Sequence, residues 1–404
     1  MIFCNPNITF LRGTQFFYYL RGMKRLKVFN PEHDLALANG DKHYIAPRNI
    51  RDMARDLSSL MDYVVGPEMP WGWNAEVVER LCKSGVSRDS LPTDEMLKAL
   101  RARSERITAH HLLQTMHHMC PCGLCGVSYV CRSVDEVNAY AAMHGHVLMK
   151  APLSGSGKGL RHSHGPLDEK QIGWCRALIK RHGYLTVEPY YDKVQDFAME
   201  FCVQKNECRF VGYSLFATDC HGHYDRNILM SDCRIEAYLA GFISQKLLHD
   251  ICALVVAHYK DIVPDGWDTD RFPLFFGIDM MIVNIGQQAK DNNQQPLMAG
   301  GEGVAVSDNR PDGNSEFKLH PCVEINLRLN MGIVAHSLFV RRLSPEAEGV
   351  FRLAFFNDSE SLQVFVEEQK KTHPMILQDG KMLKGYLPLT PVGLDARYHA
   401  YIVC

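Results

Sequence analysis

The chain has 404 residues, 46% hydrophobic and 22% charged, an ordinary globular composition that excludes a wholly disordered or fibrous protein and suggests two or three compact units at about 150 residues each. Lys plus Arg number 44 against 46 Asp plus Glu, so no global basic field exists to recruit nucleic acid or an anionic membrane, and no apolar run reaches membrane-spanning length. The 14 cysteines are scattered without framework spacing, some inside apolar runs such as Phe201-Cys202-Val203, and read as reduced thiols of a cytoplasmic protein.

Residues 1–22 include Phe16-Phe17-Tyr18-Tyr19-Leu20 but lack the continuous apolar stretch and small-residue cleavage site of a signal peptide; they read as an extension without assigned function. Leu26 to Phe29 predicts a first strand, and Asn30-Pro31-Glu32 a helix cap, a first-position proline and a first-turn acid. Ile50, Met53, Leu57 and Leu60 have helical spacing over Arg48 to Leu60, and Tyr63-Val64-Val65 reads as a short buried strand. This alternation implies an α/β unit with a parallel sheet over residues 23–103. Further helical pattern from Asn74 ends in the charged stretch Arg101 to Arg106, where a domain boundary is placed.

A helix from Thr108 to Met119 follows, then a strand at Val147 to Lys150, a helix from an Asp168 cap to a Gly183 stop, and a strand at Tyr184 to Pro189. Phe197, Met199, Phe201 and Val203 alternate with Ala198, Glu200 and Cys202, and a second strand runs from Arg209 to Phe216, forming a β-hairpin. A helix over Phe242 to Tyr259 leads to a strand at Leu274 to Val283. Gly286 to Ser315 is polar and aperiodic, the pattern of a mobile surface loop, and Phe317 to Leu327 returns as a strand beside Leu274 to Val283.

Chemistry concentrates in three places. Lys150 ends a buried strand and precedes Ser154-Gly155-Ser156-Gly157-Lys158-Gly159, whose glycines would let backbone N–H groups cradle phosphate, although a flexible hairpin turn has the same composition. This is neither a P-loop, since Gly159 follows Gly157-Lys158, nor a Rossmann fingerprint, since Leu160 holds the last glycine position. Second, Thr186 to Asp192 leaves a strand through Pro189, either as a hinge whose amides can pair with a purine edge or as a proline-terminated edge strand. Third, Asp279 on one strand and Glu324, Asn326 and Arg328 on the next place polar groups where a core strand should be apolar. Two hard carboxylates and an amide oxygen suit a Mg²⁺ ion shared with phosphates; in the alternative, Arg328 simply pairs with a carboxylate.

From about Ser104 to Met331 the order of these elements resembles that of the ATP-grasp superfamily. The resemblance implies an N-terminal Rossmann-like pre-ATP-grasp domain (residues 23–103) and a two-lobed α+β ATP-grasp fold, its N-terminal lobe over 104–189 and its C-terminal lobe over 190–404. Lys150 with Ser154, Gly155, Ser156, Gly157 and Lys158 matches the family's lysine and lid, and Glu188 and Tyr190 its adenine-binding hinge. Asp192 or Asp196 falls where the ribose is held, and Met281 joins the nucleotide-binding set. Asp279, Glu324 and Asn326 match the metal ligands. Arg328, with Lys150, would steady the transferring phosphate, and Arg106 stands where the family has an earlier phosphate-binding lysine. Asn30, Glu32, His33 and Asp34 would lie at a substrate-facing edge.

The implied activity is an ATP-dependent carboxylate-amine ligase, using Mg²⁺ or Mn²⁺ and acting on small-molecule carboxylate and amine substrates, with the oligomeric state open. Alternatives are a small-molecule kinase of the same fold and a non-catalytic nucleotide-binding module, against which the retention of three metal ligands argues. Among other residues, the CxCxxC spacing of Cys120, Cys122 and Cys125, near His117, His118 and Cys131, is not a zinc-knuckle spacing and reads as structural or incidental. The His162/His164 and His221/His223 pairs read as solvated turns. His33-Asp34 reads either as a catalytic base pair or as a helix-start cap with a solvated imidazole.

Overall fold

The computed structural model describes residues 26–64, 66, 68–154, 159–218, 224–286 and 316–404. The N-terminal extension, the lid residues Gly155 to Lys158, the His221/His223 pair and nearly all of the polar loop before Glu316 lie outside them.

Residues 26–119 form helices α1 (His33–Asn39), α2 (Arg48–Asp56), α3 (Ala75–Lys83), α4 (Asp94–Arg103) and α5 (Arg106–Met119), with no strand among the described residues before Tyr129. The expected strand at Leu26 to Phe29, the expected strand at Tyr63 to Val65 over its described residues Tyr63 and Val64, and the parallel Rossmann-like sheet built on them, are therefore corrected. Val28 O accepts a hydrogen bond from Trp71 N at 2.7 Å, and Trp71 O one from Leu329 N at 2.9 Å, so the first segment is tied to a loop. Leu26, Phe29 and Val64 are apolar because they are core residues, which a short apolar run cannot distinguish from a strand. Asn30 does not cap α1; its side chain donates to Gly72 O (2.9 Å) and accepts from Gly72 N (3.2 Å). Asn74 and Thr93 do cap α3 and α4, accepting from Val77 N and Met96 N.

A first sheet contains β1 (Tyr129–Cys131), β2 (His146–Lys150), β3 (Leu160–His164) and β4 (Leu185–Pro189) in the order β1-β4-β2-β3. Helices α6 (Val134–His144) and α7 (Glu169–His182) pack with it around Val137, Val147, Met149, Cys175 and Val187. The signals read from sequence for α7 are both present: Asp168 and Gln171 form a capping box, and Gly183 closes the helix at φ 83°.

The larger sheet begins with β5 (Lys193–Gln204), β6 (Glu207–Thr218) and β7 (Tyr224–Leu229), followed by α8 (Asp232–Leu239) and α9 (Gln245–Ala257). Then come β8 (Leu274–Asn284), β9 (Phe317–Asn326), α10 (Met331–Arg342), β10 (Gly349–Phe355) and α11 (Ser359–Thr372). A small ribbon of β11 (Ile376–Gln378) and β12 (Lys381–Lys384) precedes β13 (Tyr386–Pro388) and β14 (Tyr398–Val403). The eight strands run β13-β14-β10-β7-β6-β5-β8-β9, every neighbouring pair antiparallel. The β5–β6 hairpin turns through Lys205 and Asn206, both at positive φ (52° and 56°), the geometry that matches the twist of the flanking strands. One continuous core joins Phe29, Trp71 and Trp73 to Phe197, Phe201, Phe276 and Phe351; each fully buried side chain of this size contributes about 1.5–3 kcal/mol. The N-terminal helices thus share the core of the large sheet, which brings α1 against the end of β9.

Candidate active site

Antiparallel register places the polar residues of three neighbouring strands on one face, because directly opposed residues point the same way. Asp279 lies opposite both Ala198 and Glu324, Gly277 opposite Glu200 and Asn326, and Met281 opposite Asp196. Asn326 Nδ2 donates to Asp279 Oδ2 at 3.0 Å, so its carbonyl oxygen is not used in that bond. Burial, reinforced by the charge of Glu324, pushes the Asp279 carboxyl up to about 8. Two carboxylates held together away from water are costly without a cation. The donors are all oxygen, which suits Mg²⁺ or Mn²⁺. Among the described residues no group of three or more His, Cys, Asp or Glu is arranged to hold a metal. Asp279, Glu324 and the Asn326 amide oxygen could supply part of a shell that water or phosphate oxygens would complete, as protein-bound Mg²⁺ usually requires.

On the first sheet, Lys150 Nζ meets Glu188 Oε2 at 2.5 Å, with side chains only 3% and 9% exposed. The two sheets meet at Arg106, the first residue of α5. Its Nε donates to Ala151 O (3.0 Å) and its Nη2 to Ser154 Oγ (3.1 Å), and the same Nη2 lies 3.1 Å from Glu324 Oε1. A cleft lined by Ser104, Arg106, Pro152, Ser154 and Glu324 opens there. The loop after β2 closes on Gly159, at φ 84°, where an added Cβ would stand 2.8 Å from the Ser154 Cβ; only glycine fits this return.

Arg328 pairs with a carboxylate, but across the molecule: its Nε and Nη2 donate to Asp34 Oδ1 (3.0 Å) and Oδ2 (2.7 Å), a bidentate contact with α1. Burial acts to raise the Asp34 carboxyl, but the Arg328 guanidinium outweighs it and holds the group below its usual range. The reading of His33 as a solvated cap is corrected. Its ring is 1% exposed, Nδ1 lies 3.2 Å from Asn74 Nδ2, and burial pushes it down to about 4.

At the hinge, Asp196 Oδ2 accepts from Lys193 Nζ (2.5 Å) and Thr218 Oγ1 (3.1 Å). Asp192 is exposed, its backbone oxygen accepting from Asn284 N at 3.0 Å. Tyr190 stacks on His146 at 4.1 Å, and its N–H donates to His146 O. Among the described residues, no hydrogen bond or ion pair joins Tyr190 or Asp192 to Lys150, Asp279 or Glu324. His162 and His164 are exposed, as expected, but lie on β3 rather than in a turn: His164 stacks on His146 at 3.9 Å, and His162 Nδ1 lies 3.2 Å from His146 Nε2. The Cys120–Cys125 loop serves as an edge for β9, with Cys125 N donating to Leu319 O (2.8 Å) and Leu319 N to Gly123 O (3.0 Å).

Glu200 is a site residue that sequence reasoning passed over. It is 1% exposed, accepts from Asn330 Nδ2 at 2.7 Å, and is pushed up to about 8 by burial, with the Asp279 charge adding to the effect. Gly277 and Gly332 make room for it, since a Cβ on either would stand 2.5 or 2.0 Å from a Glu200 oxygen. The signal was present: its same-face neighbours Ala198 and Cys202 are small and apolar, unlike a solvent-facing row.

No protein-family model matches the chain, and neither does any curated protein. Among solved structures, it is similar to N5-carboxyaminoimidazole synthetase from Staphylococcus aureus complexed with ADP (13% identity, 93% of this chain and 85% of that one, TM-score 0.42). It is also similar to a biotin carboxylase complex with a β,γ-ATP ligand from Campylobacter jejuni (12% identity, 83% and 70%, TM-score 0.46). A third is N5-carboxyaminoimidazole synthase from Aspergillus clavatus, in complex with ADP and an aminoimidazole ribonucleotide (10% identity, 83% and 76%, TM-score 0.43). These likenesses, each with a TM-score under 0.5, span most of the chain.

Proposed function

We propose that this protein is a Mg-ATP-dependent ligase, in which a substrate carboxylate takes the γ-phosphoryl group of ATP to give an acyl phosphate that an amine resolves, releasing ADP and phosphate. The observation that carries the reading is the opposed Asp279–Glu324 pair with the Asn326 amide beside it, an oxygen-only donor set that is costly without a cation. The metal would supply charge neutralisation on the phosphoryl oxygens. Lys150, paired with Glu188 at the end of β2, would hold phosphate oxygens. Arg106 and Ser154 join the base of the lid to Glu324. Arg328, oriented by Asp34 through Nε and Nη2 and by Leu329 O through Nη1, would turn its remaining N–H groups and its charge toward the acyl phosphate, since phosphoryl transfer depends on positioning and electrostatics more than on a side-chain nucleophile.

The test is a screen of amino acids, peptides and dicarboxylates for substrate-dependent release of ADP and phosphate. A ligase releases both with a matching amount of amide product. ADP without free phosphate identifies a kinase, and no nucleotide turnover with any pair rejects catalysis.

A further inference from the structure

We infer that Glu32, Glu76 and Arg80 form a recognition site for a primary ammonium group, which on the ligase reading is that of the amine substrate. Glu32 directly precedes α1, while Glu76 and Arg80 lie four residues apart on α3. Arg80 approaches both acids loosely, Nη2 standing 3.5 Å from Glu32 Oε1 and Nε 3.6 Å from Glu76 Oε1. These separations are wider than good charge-assisted hydrogen bonds. Glu32 Oε2, Glu76 Oε2 and Arg80 Nε and Nη2 are all buried and have no hydrogen-bond partner. Glu32 as a whole is only 5% exposed. Lys83, whose charge also acts on Glu76, is paired with Glu79 at 3.3 Å.

Two carboxylates therefore face one guanidinium, leaving one negative charge in excess and two carboxylate oxygens without donors. Burial raises both acids above their ordinary range, and for Glu76 the neighbouring Glu32 adds to the effect. Natural structures rarely leave buried carboxylate oxygens unmade, because each carries a full desolvation cost. A primary ammonium brings one positive charge and three N–H donors, which matches the excess negative charge and the two carboxylate oxygens without donors. The Arg80 side chain is 42% exposed and marks the open side of the site. Two residues on, Asp34 holds Arg328, so the same turn of chain links this site to the arginine assigned to the acyl phosphate.

The test uses the full-length protein without nucleotide and follows Tm against methylammonium chloride, tetramethylammonium chloride and sodium acetate at matched ionic strength. Methylammonium is expected to raise Tm saturably, by mass action on the folded state, whereas tetramethylammonium, which has no N–H, is not. Glu32→Gln and Glu76→Gln, two variants because one alone can fail to fold, should each weaken the methylammonium effect at least tenfold. Stabilisation by acetate instead, equal effects of both ammonium salts, no shift with any salt, or full retention in both variants would overturn the inference. Because no ATP is present, a methylammonium shift that persists in a protein with no ATP turnover rejects the ligase reading alone.

Discussion

Replacing Glu324 with Gln separates the catalytic reading of the site from a purely structural one. In the structure the Glu324 carboxylate is attracted to Arg106 at 3.1 Å and repelled by Asp279 on the paired strand. The Glu324 side chain is 33% exposed, so its ion pair is worth about 1 kcal/mol at most. Arg106 keeps its bonds to Ala151 O and Ser154 Oγ in the variant. Relief of the Asp279 carboxylate offsets the lost attraction, so the stability of the nucleotide-free protein should change by less than about 1 kcal/mol, or a Tm shift of about 2–4 °C or less. On the proposed function, turnover should fall at least ~100-fold, roughly 3 kcal/mol of barrier, because one charge that would hold Mg²⁺ against the phosphates is gone. Steady-state ADP release and thermal unfolding are measured on the same preparation. A variant that is destabilised yet fully active refutes the metal assignment.

A second prediction concerns pH. Glu200 and Asp279 have folded-state values of about 8, against ordinary values of 4.5 and 3.8, so their contribution to stability is full below pH 4 and is lost as pH rises through 8. The metal-free protein should lose stability over that window, and Glu200→Gln should show a shallower slope and greater stability at pH 8; an unchanged slope contradicts the placement of Glu200. Third, Asp34→Ala leaves the Arg328 guanidinium without its bidentate partner; denaturant unfolding should show a loss on the order of 3 kcal/mol, with a further loss of turnover in the folded fraction. An equally stable and active variant would remove Asp34 from the site. Fourth, because the Cys120–Cys125 loop is held on β9 by backbone bonds, a zinc-selective chelator in excess Mg²⁺ should leave turnover unchanged; stoichiometric zinc with unfolding on chelation would contradict this.

The core of the candidate site was legible because strand periodicity is short-range: a polar residue at alternate positions of Phe317 to Leu327 marks one face whatever the rest of the fold does. The same applies to α7, whose Asp168 cap and Gly183 stop are local chemistry. Residues 26–103 were misread where an apolar run stood for burial. Leu26, Phe29 and Val64 pack into the core of a sheet formed far along the chain, and no local pattern records that. Asp34 as the partner of Arg328 was equally invisible, since the two are 294 residues apart. Tyr190 and the imidazoles of His146, His162 and His164 were separated in sequence reasoning, yet antiparallel pairing of β2 and β3 sets His146 opposite His164. Glu200 was readable in principle, from the small apolar residues on its own face.

The most direct measurement is isothermal titration of ATP into the wild-type protein and into Asp279→Asn, each with and without Mg²⁺. With phosphate charge set against Asp279 and Glu324, ATP should bind the wild type tightly only when Mg²⁺ is present, because the cation turns a repulsive approach into a bridged one. The Asn variant should lose most of that Mg²⁺ dependence. Equal ATP affinity of the wild type with and without Mg²⁺ would contradict the assignment of Asp279, Glu324 and Asn326 as the metal-binding heart of a nucleotide site.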